Sequence, residues 1–484
     1  MDEKKDERKQ GPVSSLIGYI DSRVGFTNTF LKPLPVTGLN PFAWLGALAV
    51  LAFFAQGVTG ILMMLYYVPT PDSAYQTTTM VMTKIPMGSV LETFHLYMAY
   101  AMILIVFLHL MRNYFTSVGK KPRELMWVVG FIMGVLTLAQ GLTGYLLPWS
   151  VLSKAATDVF IGTLQSLPPQ LFLPVKYLLE GTGADAQELM HFYVFHTVVI
   201  PFSLLLLIVL KIYMYEIHGH AETGGENEGK TVKKVPFFWD ETWYVLMIGS
   251  AFVAVVLVLA SVFPLKLPPE YSAAAAANVV VQPDWYFLWI YQVLKFGIFV
   301  GPNEPLALAV ITIIFLLILL VPFIDRNKER VATRRPVYTT IGAIFIAEVI
   351  VLTIWGYMTP GVNAPNSQVV EIVGGTALIV GVVFWLYFKA RKAVTRQSIT
   401  VPSVATSVRF LKIPFKHSRY TLLFLVLLGV ASVSLSSVVS TATTPGIDYG
   451  WLLISILVFG VSLYSMLKLL KALVISYEAG RALS

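Results

Sequence analysis

The feature that most constrains this chain is the recurrence of apolar runs about twenty residues long, the length a helix needs to cross a hydrocarbon core roughly 30 Å thick. Ten such runs are present, at 42–67, 91–115, 126–147, 190–215, 242–263, 305–324, 337–358, 370–388, 420–440 and 449–472. Hydrophobic residues make up 56% of the 484 and charged residues 13%, which excludes a set of water-soluble domains. The expected fold class is all-α, a polytopic membrane protein of about ten transmembrane helices. Thirty of the 35 Lys and Arg residues lie in or at the rims of the N-terminal arm, the alternate loops after the second, fourth, sixth and eighth runs, and the C-terminal tail. Basic residues accumulate on the cytoplasmic side. This predicts both termini in the cytoplasm and explains the net charge of +8 without nucleic acid. MDEKKDERKQ reads as a polar arm and not as a cleavable signal peptide. With no cysteine, disulfides, thiolate zinc sites and Cys-ligated iron–sulphur clusters are excluded within the chain.

The second run contains two histidines, His95 and His109. Fourteen residues of helix separate them by roughly 21 Å and only about 40° of azimuth, so both rings face one way at two depths. Ionisable residues inside a span are functional candidates, although a single one can equally be a hydrogen-bonded packing residue. Two glycine pairs repeat the same spacing, Gly46 with Gly60 in the first run and Gly130 with Gly144 in the third. Glycines in membrane helices permit close packing, and they also let backbone approach a bulky flat group. Two notches at two depths suit two macrocycles. In the fourth run His196 lies near the outer end, opposite His95, and the two form a candidate axial pair for a haem iron. At the depth of His109 the fourth run offers Leu210 or Lys211.

HLYMAYAMILIVFLHLMRNYF, KKPREL, GVLTLAQGLTGYLLPW, FYVFHTVVIPF and PDWYFLWIYQVL together resemble cytochrome b of the quinol-oxidising Rieske/cytochrome b complexes. The resemblance covers about 40–360 and is nearest the chloroplast and cyanobacterial type at KKPREL. It implies an N-terminal four-helix bundle with two haems, b-type or modified, held by four axial ligands. Three fall on His95, His109 and His196, and the fourth on Lys211. A lysine ligates only as the neutral amine. The alternatives left open are snorkelling to the interface, a five-coordinate inner haem, and substitution by His218 or His220, which lie roughly 33–36 Å beyond His196 and so too far along the helix. His191 falls on another face as an interfacial group, and His417 sits in a basic loop. Glu92 stands where the family commonly has a propionate-pairing arginine. Arg112 keeps the family's basic residue near the inner haem, and is also explained by inside anchoring.

Pro283, Asp284, Trp285 and Tyr286 resemble the family's PEWY motif at the outer quinol site, where the carboxylate takes a proton or hydrogen bond from quinol. The same four residues would also suit an interfacial helix start. The resemblance further implies electron transfer to a Rieske iron–sulphur protein, proton translocation, an inner quinone site with Asp240 and Glu241 as candidates, a homodimer, and contact with terminal-oxidase or cytochrome subunits in a prokaryotic plasma membrane. The expected organisation is an arm (1–40), a haem bundle (41–220), a linker (221–241), a C-terminal part carrying the outer quinol motif (242–390) and an additional region with two helices (391–484). For the loop at 148–189 the resemblance implies surface helices that wall the quinol site, while its residues suit a packed cap on the bundle equally well. Two other readings remain: a di-haem anchor relaying electrons between the quinone pool and a dehydrogenase or oxidase, and a secondary transporter.

Overall fold

The computed structural model describes residues 33–35, 42, 44–219, 234–236, 242–277, 279–396 and isolated positions between 429 and 466. Eight described helices are long and apolar enough to span a bilayer. Most of the runs at 420–440 and 449–472, most of the arm and linker, and His220, Asp240, Glu241 and His417 lie outside the described residues.

The spanning helices are α1 (Leu45–Met64), α3 (Gly88–Phe115), α4 (Glu124–Leu146) and α7 (Asp185–His218), followed by α8 (Val245–Val262), α10 (Gly301–Ile324), α11 (Pro336–Met358) and α12 (Asn366–Arg391). Between them lie α2 (Ala74–Lys84), α5 (Val151–Gln165), α6 (Pro169–Leu179) and α9 (Leu288–Leu294). Helices dominate because hydrocarbon offers the backbone no partner, so each N–H and C=O must be satisfied within its own segment. Large apolar side chains such as Leu316, Ile341 and Trp385 point outward, the expected lipid face of a multi-pass membrane protein. The described non-helical pairing joins β1 (Pro33–Pro35) to β2 (Lys234–Pro236), antiparallel.

α1 packs along α3, α4 along α7, and α3 against α4, giving the four-helix bundle. α8 packs on α3 and α1, and α11 lies between α9 and α12. At the end that the basic residues assign to the outside, called outer below, α5 starts with a capping box, Ser150 and Ser153 bonding each other's backbone N–H. Proline at the first turn starts α6. These pieces and α7 close over a core of Leu146, Trp149, Ile161, Leu189 and Phe192. The buried Lys154 ammonium meets Glu188 at 3.1 Å and Asp185 at 3.5 Å, and also pairs with Asp158. Burial works against its charge, but the Asp158 and Glu188 partners outweigh it and raise its pKa. The segment 148–189 is thus a packed cap.

α7 contains one irregularity, a π-turn at Phe195–Val199. Such a turn inserts one extra residue into an α-helix. The fifteen-residue step from His196 to Lys211 on α7 therefore matches the fourteen-residue step from His95 to His109 on α3.

Candidate functional site

Each ligand candidate lies against one notch glycine. An added Cβ at Gly46 would meet His109 Cε1 at 3.2 Å, and one at Gly60 would meet His95 Cε1 at 3.5 Å. A Cβ at Gly130 would meet Lys211 Nζ at 2.5 Å, and one at Gly144 would collide with the His196 ring. The four glycines and four candidates are thus brought together in pairs, at two levels of the bundle.

The outer pair is built in detail. The ring centroids of His95 and His196 are 6.2 Å apart. Two imidazole–metal bonds of about 2.0–2.1 Å in line, with a ring at each end, require a separation of roughly 6 Å. His196 Nδ1 lies 3.0 Å from the Gln140 carbonyl oxygen. A carbonyl only accepts, so Nδ1 carries the proton and Nε2 keeps its lone pair. His95 Nδ1 lies 2.8 Å from Thr59 Oγ1, whose own hydroxyl donates to the Ala55 carbonyl at 2.9 Å. The same tautomer follows. Gln56 Nε2 bonds the His95 carbonyl at 3.0 Å and Gln140 Nε2 the His196 carbonyl at 2.7 Å. Orienting partners of this kind are what a ligating imidazole needs. Among the described residues no group of three or more His, Cys, Asp or Glu forms a metal cage. Two bare imidazole nitrogens instead suit an iron whose macrocycle supplies the other donors.

Gln56, Thr59, Gln140 and Thr143 were not singled out by the sequence reading, yet a signal exists. QGVTG at 56–60 and QGLTG at 140–144 are two copies of one motif, and the structure uses both copies alike.

The inner pair differs. His109 Nε2 lies 3.0 Å from Asn113 Nδ2, and Nδ1 has no partner among the described residues. Arg112 donates to Asn113 Oδ1 at 3.2 Å, so the basic residue reaches His109 through Asn113. Lys211 Nζ has no hydrogen-bond partner among the described residues and rests against Gly130, well inside α4. His218 closes α7, where the buried Arg123 of KKPREL bonds its carbonyl at 2.8 Å, a basic cap at a helix C-terminus. His191 Nδ1 donates to the Leu178 carbonyl at 3.0 Å and ties α7 to the cap.

Pro283 to Tyr286 lie on the outer side, ahead of α9. Asp284 occupies the N-cap of a short 3-10 turn, Trp285–Phe287, but its side chain makes no capping bond. Its carboxylate instead accepts from Tyr100 Oη at 2.9 Å and Tyr286 Oη at 3.3 Å. Burial pushes the Asp284 carboxyl above the ordinary carboxylate range, against the two phenol donors that pull it down. Tyr286 is buried against α4, where a Cβ at Gly141 would come within 2.8 Å of its hydroxyl. Trp285 is partly exposed and meets Tyr100 edge to face, with centroids 6.3 Å apart. Half-buried Pro283 leads into the turn. Nothing in the sequence pointed to Tyr100, because its contact with Asp284 joins residues 184 apart.

An all-helical membrane bundle with paired ligand candidates at two depths, and a carboxylate held by phenols at its outer end, is the class these observations define. The chain belongs to the cytochrome b family: the description Cytochrome b(N-terminal)/b6/petB matches residues 100–269, and Cytochrome b(C-terminal)/b6/petD matches 274–380. It is 31% identical to the cytochrome bc complex cytochrome b subunit of Chlorobaculum thiosulfatiphilum, over 71% of this chain and 81% of that one. It is 28% identical to cytochrome b of Sulfolobus acidocaldarius, over 84% and 76% respectively. A solved structure titled Hyperthermophilic respiratory Complex III shares the fold, with a TM-score of 0.62 at 24% identity, covering 79% of this chain and 99% of that one.

Proposed function

We propose that the chain is the cytochrome b core of a bc-type respiratory complex that oxidises quinol at its outer side. The observation that carries this reading is that Asp284 is fixed by Tyr100, a residue of α3 only five positions after His95. The group able to take a proton and the group able to hold an electron carrier are therefore set by one helix. His95 and His196 would hold an outer haem, His109 and Lys211 an inner one, with Gly46, Gly60, Gly130 and Gly144 admitting the ring faces. When bound, the haems supply one-electron carriers at two depths of the membrane.

Oxidising quinol to quinone releases two electrons and two protons. The Asp284 carboxylate accepts a proton from a quinol hydroxyl, acting as general base. Tyr100 and Tyr286 hold the carboxylate in place, and Pro283 and Trp285 shape the approach from the membrane. Raised by burial, the carboxyl takes and holds that proton more readily than an ordinary aspartate would. A Cys-ligated cluster must belong to another polypeptide, since this one has no cysteine, which agrees with a Rieske iron–sulphur partner for one of the two electrons. A prokaryotic plasma membrane, cytoplasmic termini, a homodimer and the division near 221–241 complete the proposal. The family matches meet instead between 269 and 274.

Lys211 is assigned as a ligand because its amine rests on Gly130 as His196 rests on Gly144, and no other partner claims it among the described residues. Low-temperature optical and EPR spectra of the wild type and Lys211→Ala test this. One of two haem signals should change spin state, whereas unchanged spectra would leave Lys211 to the interface. Replacing Asp284 by Asn should slow quinol-driven reduction by about 10²–10⁴-fold, the usual contribution of a general base, with both haem signals intact. Undiminished rates would favour the relay reading, and purified protein without any haem spectrum would remove both.

A further inference from the structure

A further ionisable group lies in a spanning helix outside the four-helix bundle, without a role in the scheme above. Glu348 is twelve residues into α11, roughly 18 Å from its inner end and so close to mid-membrane. Both carboxyl oxygens are buried, and neither has a hydrogen-bond partner among the described residues. Leaving such a group unpaired in hydrocarbon is costly, and residues of this kind usually face a cavity with a task. Glu348 does line a cavity. It measures about 320 Å³, within the about 300–1,000 Å³ of small-molecule sites, and lies between α9, α10, α11 and the start of α12. Trp289, Val293, Ile314, Phe345 and Leu352 contribute apolar wall, and among the described residues Glu348 is its one ionisable lining group. Trp289 and Phe345 stand edge to face there, with centroids 6.3 Å apart.

We propose that this cavity holds the ring of a lipid-soluble quinol or quinone outside the Asp284 site, with Glu348 as its hydrogen-bonding anchor. The chemistry of the walls selects the occupant. Aromatic and aliphatic sides suit a flat apolar ring, while a single carboxyl can accept from a quinol hydroxyl or, when protonated, donate to a quinone carbonyl. A saturated acyl chain would leave the carboxyl unanswered. Position supports the same choice: α9 begins at Leu288, directly after the Pro283–Phe287 turn, and Trp289 is only five residues from Asp284. One short helix thus has the proposed oxidation site at its start and this cavity on its flank. The inference rests on quinol being the substrate.

The test is photolabelling of the intact complex in membranes with an azido-substituted short-chain quinone, followed by peptide mapping. Label is expected in residues 341–352 of the wild type and of Asp284→Asn. Glu348→Leu should lower it by about tenfold, a loss in keeping with one hydrogen bond, while Glu348→Gln, which can still donate and accept, keeps it. If Glu348→Leu does not accumulate, Leu352→Trp fills the cavity with the carboxyl in place and carries the same expectation. Wild-type labelling in the altered cavity, label confined to residues 283–287, or phospholipid recovered from the cavity in place of label would each overturn the proposal. Those results would leave quinol oxidation at Asp284 standing. Absence of both labelling and quinol oxidation would overturn the two together.

Discussion

At the residue scale, the outer site depends on how single atoms are committed. His196 Nδ1 is tied to a carbonyl and His95 Nδ1 to a threonine hydroxyl, so the free nitrogens are chosen before any ligand binds. Asp284 is committed likewise, through Tyr100. A base must be deprotonated to act, so activity should fall as pH drops through the pKa of Asp284. Burial has already moved that pKa upward, and the Tyr100 hydroxyl restrains the rise by stabilising the carboxylate. Tyr100→Phe removes that restraint. The acid limb of the pH–rate profile should therefore move to higher pH, with the haem spectrum unchanged; an unmoved limb would show that Tyr100 does not govern the base. His95, His109 and His196 were legible in sequence because imidazoles stand out in an apolar run. Tyr100 was not, since its partner Asp284 lies 184 residues away and nothing local marks the contact.

At the scale of elements, glycine spacing could be read directly, but the consequence of each glycine could not. Gly60 leaves ordinary contact distance to His95, whereas Gly144 lies so close to His196 that a methyl group cannot fit without displacing the ring. Gly144→Ala should therefore lower outer-haem incorporation far more than Gly60→Ala, as measured by the haem-to-protein ratio of the purified protein. Equal losses would mean that the notches accommodate the ring system alone and not the imidazoles. The π-turn in α7 was similarly invisible. A spacing of fifteen in one helix against fourteen in the other looks like a mismatch until one inserted residue at Phe195–Val199 absorbs it. The eight described spans followed from hydropathy alone, because in a bilayer length and apolarity nearly determine helix. The packing partners of α8 did not follow: it sits on α3 and α1, beside the bundle that precedes it.

At the scale of the whole molecule, the N-terminal bundle is joined to the later helices by a buried polar network at the inner end. Arg335 pairs with Asp325 and Ser117, Lys120 meets Asp325 at 3.1 Å, and Trp127 Nε1 donates to the Ile318 carbonyl at 3.0 Å. KKPREL, noticed in the sequence only as a family mark, thus supplies Lys120 to this joint and Arg123 to the end of α7. Both the Asp325 and Arg335 side chains are almost fully buried. Asp325→Ala strands the guanidinium and should cost about 3–5 kcal/mol, while replacing both partners with apolar residues should cost much less. Thermal unfolding in detergent distinguishes these outcomes, and a single variant that melts like the wild type would show that the joint contributes no stability.

The two QGxTG copies have a bearing on how the protein is made. Among the described residues, every hydrogen bond that orients His95 comes from α1, and every one that orients His196 comes from α4. Neither imidazole relies on the opposite pair of helices for its direction. A chain still emerging from the ribosome can therefore present one finished jaw, α1 with α3, before the second exists. The width of the slot is the last dimension of the site to be set, as the two jaws close.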